Sequence, residues 1–198
     1  MFITFEGIDG CGKTTQVELL KSHFEAKGYE VISIREPGST KISEQIREIL
    51  LDSNNTELSS ESEALLFASA RAQIVKEVII PSINENKIVL CDRFIDSTIA
   101  YQGYGRGMDL QNLDIINAFA IQNNNPEFTF FIDITIEESK KRLNSSNLDR
   151  MEITGDKFFN NVRNGYLELT KNYPKRIHII DGTLSIKEIH SEIIEIID

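Results

Sequence analysis

Near its amino terminus the chain carries the glycine-rich segment Gly7-Ile8-Asp9-Gly10-Cys11-Gly12-Lys13-Thr14-Thr15. This segment fits G-x-x-x-x-G-K-[ST], the pattern of a phosphate-binding loop, or P-loop. A short apolar strand pattern precedes it, and a helix pattern with Val17, Leu20 and Phe24 on one face follows it. Backbone amides at the start of such a helix offer partial positive charge to a phosphate. Because both flanks fit, we predict a nucleotide site rather than a glycine-rich turn that only joins a strand to a helix.

Composition restricts the class of protein. The chain has 198 residues and a net charge of -10, from 31 acidic and 21 basic side chains. This length predicts a single domain over residues 1–198, and the lack of a basic stretch argues against a nucleic-acid partner. The sequence contains neither a run of membrane-spanning length nor a signal-peptide pattern, so we predict a cytoplasmic protein with no membrane partner. We expect Cys11 and Cys91 to be reduced thiols, because two cysteines do not make a disulfide framework.

Strand and helix patterns alternate along the whole chain. Strands are predicted at residues 2–5, 30–34, 87–91, 128–132 and 176–180. Helices are predicted at residues 13–27, 42–51, 61–80 (ended by Pro81), 110–121, 136–143, 156–173 and 186–197. This alternation is typical of an α/β protein, here a three-layer P-loop fold in which helices flank about five parallel strands.

Charged residues follow the predicted strands. Asp9 follows the first strand, Arg35 and Glu36 follow the second, and Asp92-Arg93 follows the third. The carboxyl ends of parallel strands meet at one edge of the sheet, where ligands bind. Carboxylates near a nucleotide suit Mg²⁺, and arginines suit a second phosphate. We therefore predict two phosphate sites and phosphoryl transfer between them.

Further motifs, in order along the chain, carry a resemblance to a known family. They are Phe5-Glu6-Gly7 with the P-loop, Arg35-Glu36-Pro37-Gly38, Ile46-Arg47, Leu66-Phe67-Ala68-Ser69-Ala70-Arg71, Asp92-Arg93-Phe94 with Ser97, Ala100-Tyr101-Gln102-Gly103, and Leu148-Asp149-Arg150. Over essentially its whole length the sequence resembles the thymidylate kinases. The resemblance implies that the protein transfers a phosphoryl group from ATP to dTMP with Mg²⁺, and that it is a homodimer.

The resemblance also implies roles for individual residues. Phe67 is expected to stack on thymine, Arg71 to donate to a base carbonyl, and Tyr101 to exclude a ribose hydroxyl. Substrate-binding residues are then Glu36, Pro37, Arg47, Phe67, Arg71, Arg93, Ser97, Thr98, Tyr101 and Gln102. ATP-binding residues are the P-loop residues 7–15 and Asp181, and the metal-binding residues are Asp9, Thr14 and Asp92. Without the resemblance, Phe67 would be interpreted as core packing and Arg71 as a solvated charge.

The sequence departs from the family at two places. Ser39 stands where a second glycine is common, so it must adopt the backbone conformation of that glycine. The P-loop carries no cation before Lys13, although the transferred group benefits from one. We predict that a short lid, approximately residues 142–155, supplies this cation through Arg142 and Arg150. The catalytic residues are therefore predicted to be Asp9, Lys13, Arg93, Arg142 and Arg150.

Two alternatives remain open at this point. One is a P-loop kinase that acts on another nucleoside or nucleotide. The other is a nucleotide-binding switch that signals through a partner. A switch of the GTPase type would carry a guanine-reading Asn-Lys-x-Asp segment, which the sequence lacks. The second phosphate site also favours a kinase over a switch.

Overall fold

The computed structural model describes residues 1–143, 150–151 and 154–197. Its strands are β1 (Phe2–Glu6), β2 (Val31–Arg35), β3 (Ile88–Asp92), β4 (Phe128–Asp133) and β5 (Ile177–Asp181). Its α-helices are α1 (Lys13–Ala26), α2 (Lys41–Leu51), α3 (Ser60–Ile74), α4 (Ile80–Asn84), α5 (Ile95–Thr98), α6 (Leu110–Ile121), α7 (Ile136–Arg142), α8 (Asp156–Asn172) and α9 (Ile186–Ile197). The predicted strands and helices are present in the predicted order. The part of the lid at residues 144–149 and 152–153, including Leu148-Asp149, lies outside the described residues.

All five strands run parallel in one sheet, in the order β2-β3-β1-β4-β5. β1 pairs with both β3 and β4, so Phe5 lies opposite Asp92 on one side and Phe130 on the other. This sheet with its flanking helices confirms the predicted α/β class. Because β1 is the central strand, the P-loop that follows it lies between the segments that follow β3 and β4.

Apolar side chains cover both faces of the sheet. On one face, Phe2 and Val89 belong to a buried cluster with Ile74 at the end of α3. On the other face, Ile3 belongs to a second cluster that includes Leu20 of α1. Strands that are buried on both faces are expected to be almost continuously apolar, as the sequence of β3 is. The sheet is therefore a rigid support for the loops at its carboxyl edge.

The helical stretch that begins at Ser60 does not end at Pro81, and this prediction is wrong. A π-helical turn, Val75–Ile79, follows α3, and Pro81 lies in the first turn of α4, which continues to Asn84. A proline is tolerated in the first turn of a helix because its missing N–H has no partner there. The wider π-helical turn before it provides that new start.

A second helical segment follows β3 and was not predicted. α5 continues directly into a π-helical turn, Ile99–Gly105. A Cβ atom on Gly103 would lie 2.4 Å from Leu110, and one on Gly105 would lie 2.5 Å from Phe158. The two glycines therefore permit close packing of this segment against α6 and α8. The segment matters because it carries Ser97, Thr98, Tyr101 and Gln102.

Other predictions concern the chain as a whole. Both cysteines are free and buried, as expected. Within the described part of the chain, every helix is too short or too polar to span a lipid bilayer. The same residues contain no group of three or more His, Cys, Asp or Glu side chains that could hold a metal ion by themselves. A cation that takes ligands from bound phosphates remains compatible with this result.

Candidate active site

The P-loop joins the central strand to α1. Gly7, Gly10 and Gly12 have φ values of 136°, 78° and 102°, in the region that favours glycine. A Cβ atom on Gly7 would lie 2.5 Å from the carbonyl oxygen of Ile132, so only glycine fits there. Gly12 precedes the first residue of α1, and no side chain caps that helix. Its amino-terminal amides are therefore available to a phosphate.

Lys13 points back along the P-loop. Its Nζ donates to the carbonyl oxygens of Gly7 at 2.9 Å and Ile8 at 3.2 Å, and lies 3.9 Å from Oδ1 of Asp9. Only 6% of the side chain is exposed. The ammonium group is thus held beside the loop that would receive the phosphates.

Arg93 links the segment after β3 to the P-loop. Its guanidinium donates to the Gly7 carbonyl at 2.9 Å and to Asp9 at 2.6 Å. Its φ of 70° is unusual for a residue other than glycine, and such strain is often found at functional sites. Burial raises the pKa of Asp9, but the charges of Arg93 and Lys13 outweigh burial and hold it below the usual value. Asp9 is therefore ionised and orients two cations.

Thr14 and Asp92 form a pair of oxygen ligands at the same edge. The Thr14 hydroxyl donates to Oδ2 of Asp92 at 2.8 Å. Both residues line a cavity over the P-loop, here called the P-loop cavity, whose walls also include Asp9, Lys13 and Arg142. Hydroxyl and carboxylate oxygens are hard ligands, and Mg²⁺ prefers such ligands together with phosphate oxygens and water. The residues present therefore fit Mg²⁺.

The predicted ATP-binding residues divide into three groups. Six of them line the P-loop cavity: Asp9, Gly10, Gly12, Lys13, Thr14 and Thr15. Gly7, Ile8 and Cys11 belong to the loop but do not line the cavity, and Ile8 and Cys11 are almost fully buried. Asp181 does not line the cavity. It accepts hydrogen bonds from the backbone and side chain of Thr183, which stabilise the turn after β5.

The two predicted lid arginines lie in different places. Arg142, at the end of α7, donates to the carbonyl oxygens of Gly10 at 3.4 Å and Gly182 at 2.9 Å, and it lines the P-loop cavity. Arg150 is 7% exposed and pairs with Glu63 at 2.7 Å. It also donates to the carbonyl oxygen of Leu50 at 2.7 Å. The structure therefore brings Arg142 to the P-loop and holds Arg150 against α2 and α3.

A second cavity adjoins the first. All ten predicted substrate-binding residues line it: Glu36, Pro37, Arg47, Phe67, Arg71, Arg93, Ser97, Thr98, Tyr101 and Gln102. Leu51 and Met151, which the sequence analysis did not select, line it too. Asp9, Glu36, Arg47 and Arg93 line both cavities. Two anionic groups bound in the two cavities would therefore meet beside Arg47 and Arg93.

Phe67 and Arg71 lie one turn apart on α3 and face the second cavity together. Phe67 is partly buried and belongs to neither of the two core clusters. Arg71 is 2% exposed, so its interpretation as a solvated charge is wrong. Its guanidinium is enclosed by acceptors, namely the Glu36 carboxylate, the Thr98 hydroxyl, the Asn117 side chain and the Phe94 carbonyl.

The loop after β2 presents Glu36 to the second cavity. Ser39 has a φ of 67°, in the left-handed region that favours glycine. Burial raises the pKa of Glu36 to about 7 against the opposing charge of Arg71. Oε2 accepts from Arg71 at 2.8 Å, whereas the buried Oε1 has no hydrogen-bond partner among the described residues. This oxygen is therefore available to a ligand.

Glu6 is a structural determinant of the site that the site prediction missed. Its buried carboxylate accepts hydrogen bonds from the Phe94 amide at 2.8 Å and the Ser97 amide at 3.3 Å. It also accepts from the hydroxyl groups of Ser97 and Tyr166. Glu6 thus caps α5 from another part of the chain. The sequence did contain a signal for this role, because Glu6 is a charged residue at the end of an otherwise apolar strand.

Comparisons with known proteins agree with this geometry. The family described as "Thymidylate kinase" matches residues 5–193. A thymidylate kinase of Thermoanaerobacter sp. (strain X514) is 47% identical over 196 residues, covering 99% of this chain and 96% of that protein. One from Kosmotoga olearia is 49% identical over 196 residues, covering 98% and 94%. The crystal structure of thymidylate kinase from Ehrlichia chaffeensis has a TM-score of 0.81 and 38% identity, with 100% of this chain and 98% of that chain covered. With matches of this extent to sequences and to a structure, the chain belongs to the thymidylate kinase family.

Proposed function

We propose that this protein transfers the γ-phosphoryl group of ATP to dTMP, giving ADP and dTDP. The observation that carries the proposal is the junction of the two cavities, where Asp9, Glu36, Arg47 and Arg93 line both. ATP would place its phosphates on the P-loop, and dTMP would place its phosphate at the junction. Phosphoryl transfer depends mainly on such positioning and on neutralisation of charge.

The charged residues have separate tasks in this proposal. Lys13 leaves the carbonyl oxygens of its own loop and neutralises charge on the transferred group. Arg93 and Arg47 hold the phosphate of dTMP at the junction. Asp9, ionised and 2.6 Å from Arg93, keeps that guanidinium in place. The phosphate of dTMP is already an anionic nucleophile, so the step needs no strong base.

Mg²⁺ is the cation that we propose for the P-loop cavity. Thr14 would bind it directly, and Asp92, 2.8 Å from the Thr14 hydroxyl, would hold it directly or through water. Asp9 lines the same cavity and is the third residue that we propose to lie near this cation. A cation held by these residues would supply positive charge against the phosphate oxygens of ATP.

Base recognition is assigned to α3 and to the π-helical turn. Phe67 presents a partly exposed ring on which thymine can stack. For Arg71 to donate to a base carbonyl, one of its present hydrogen bonds must be exchanged or shared. One oxygen of Glu36 contacts two nitrogens of Arg71. This interaction is therefore the one that we expect Arg71 to share with the base carbonyl.

Sugar recognition is assigned to Tyr101. Its side chain is 7% exposed, and its ring packs over the Arg93 guanidinium at 5.1 Å and edge-on against Phe158 at 5.9 Å. A ring held so firmly can exclude a ribose hydroxyl. We expect Tyr101→Phe to preserve the preference for deoxyribose and Tyr101→Ala to weaken it by about tenfold, the scale of a small steric change. The measurement is kcat/KM for dTMP and for its ribose counterpart. An unchanged ratio in a folded Tyr101→Ala variant would place the discrimination elsewhere.

We further propose a homodimer, as expected for the family. Helix α3 packs against both α2 and α6, and all three helices carry large exposed apolar side chains. Leu65 on α3 is 54% exposed, and Ile115 and Phe119 on α6 are 69% and 85% exposed. Large apolar side chains exposed on neighbouring helices are the kind of surface that a protein interface covers. A second copy of this chain is the partner that we assign to it.

A coupled assay of ADP release tests the function. With ATP and Mg²⁺ present, we expect release to depend on dTMP and to stop when dTMP is omitted. Release that depends on another nucleoside or nucleotide would support a different kinase. Slow hydrolysis without any small-molecule acceptor, increased by a protein partner, would support a nucleotide-binding switch.

A further inference from the structure

Glu63 is a buried carboxylate close to the second cavity but not in its wall. It lies in the first turn of α3 and is 1% exposed. Three side chains donate to it: Arg150 through Nη1 at 2.7 Å, Gln102 through Nε2 at 2.8 Å and Arg106 through Nη2 at 3.1 Å. Of these three, Gln102 lines the cavity. Glu63 can therefore act on a ligand only through a neighbour.

Glu63 is ionised in this environment. Burial raises its pKa, but hydrogen bonds from Arg106 and Gln102, together with the charge of Arg106, outweigh burial and lower it. An ionised carboxylate accepts hydrogen bonds and cannot donate them. The Gln102 amide must therefore turn its nitrogen towards Glu63.

This contact fixes the other end of the Gln102 side chain. A glutamine amide has a donor end and an acceptor end, and either could face the cavity if nothing held the group. The backbone of Gln102 is also anchored, since its carbonyl accepts from the Met108 amide at 3.1 Å. With the nitrogen bound to Glu63, the carbonyl oxygen is the end that can meet a ligand.

We propose that Glu63 is a positioning residue that sets base choice through Gln102. Held by its nitrogen, Gln102 presents an acceptor to the base edge. Thymine and uracil carry a hydrogen at N3 and can donate to it. Cytosine carries a lone pair at N3, so it places a hydrogen-bond acceptor opposite the carbonyl oxygen of Gln102, which is also an acceptor. This inference rests on the proposed function, because it concerns the pyrimidine of the nucleotide that receives the phosphoryl group.

The first experiment compares dTMP and dCMP as acceptors for the parent enzyme and for Glu63→Gln. The introduced amide has nearly the shape of the carboxylate, but it can donate as well as accept, so Gln102 is free to turn over. We expect kcat/KM for dTMP to fall about tenfold, mostly through KM, and the preference for dTMP over dCMP to fall by a similar factor. A preference that stays at the parent value in the folded variant overturns the inference.

A double-mutant cycle distinguishes an effect of Glu63 that acts through Gln102 from a general disturbance of the second cavity. In a Gln102→Ala background, Glu63→Gln should leave the dTMP-to-dCMP preference unchanged, because the group through which Glu63 acts is gone. A further shift of the preference in that background overturns the inference. Asp133→Asn is the matched control, since Asp133 is 15% exposed, pairs with Arg163 and does not line the second cavity. It removes a carboxylate–arginine pair and should leave the preference at the parent value.

A second variant covers the case in which Glu63→Gln fails to fold. Glu63→Asp keeps the negative charge beside Arg106 and Arg150 but shortens the side chain, so Gln102 is released. It should change the preference in the same direction as Glu63→Gln, and an unchanged preference contradicts the inference. A parent enzyme that does not phosphorylate dTMP contradicts the proposed function instead, so the two failures are distinguishable.

Discussion

Lys13→Ala is expected to lower kcat about a thousandfold while leaving the fold intact, which corresponds to about 4 kcal/mol of lost transition-state stabilisation. Lys13 is the only cation within the P-loop, and its Nζ already lies among the carbonyl oxygens of that loop. Charge spreads over the oxygens of the phosphoryl group during transfer, and a cation held close to them lowers the barrier. The measurement is steady-state ADP release at saturating ATP and dTMP.

Lys21→Ala is the control for this experiment. Lys21 lies on the same helix, is 38% exposed and pairs with Glu25, so its loss should leave kcat near the parent value. Thermal unfolding of both variants checks that the fold is retained. Turnover near that of the parent in a folded Lys13→Ala variant would remove the P-loop from the mechanism.

Arg142→Ala is expected to lower kcat about a hundredfold, with a smaller change in the KM for ATP. Its guanidinium bridges the P-loop and the turn after β5, through the carbonyl oxygens of Gly10 and Gly182. From that position it can move onto phosphate oxygens as charge develops, and a contact made mainly in the transition state affects kcat more than binding.

Arg150→Ala provides the comparison for Arg142→Ala. Arg150 donates to Glu63 and to the Leu50 carbonyl, so we expect its removal mainly to destabilise the fold. The melting temperature should fall, and the loss of kcat should be smaller than in Arg142→Ala. A large loss of kcat in Arg150→Ala together with an unaffected Arg142→Ala variant would reverse the assignment. It would mean that Arg150, and not Arg142, acts on the transferred phosphoryl group.

Periodicity and local motifs predicted most of the fold. Continuous apolar runs identified the buried strands, and the P-loop pattern identified the join between β1 and α1. The π-helical turns could not be predicted, because they depend on packing between distant residues. Pro81 is an example: local chemistry predicts a helix end, whereas the turn before it supplies a new helix start. Gly103 and Gly105 have low helix propensity, and the turn that contains them depends on close packing against α6 and α8.

Sequence motifs predicted the wall of the second cavity better than its support. All ten predicted substrate-binding residues line the cavity. Glu6 and Glu63 were missed because their partners are far along the chain: Phe94 lies 88 positions after Glu6, and Gln102 lies 39 positions after Glu63. Arg142 and Arg150 could not be distinguished for a related reason. Both flank the same polar stretch, and they are distinguished by the contact of Arg142 with the P-loop and by the burial of Arg150 against Glu63.

The position of Glu6 has a mechanical consequence. Its backbone leads directly into the P-loop, while its carboxylate holds the amides of Phe94 and Ser97 at the start of α5. Glu6 therefore joins the P-loop and the start of α5 into one frame. In the proposed reaction, this frame would set the distance between the phosphate on the P-loop and the phosphate of dTMP before either substrate binds.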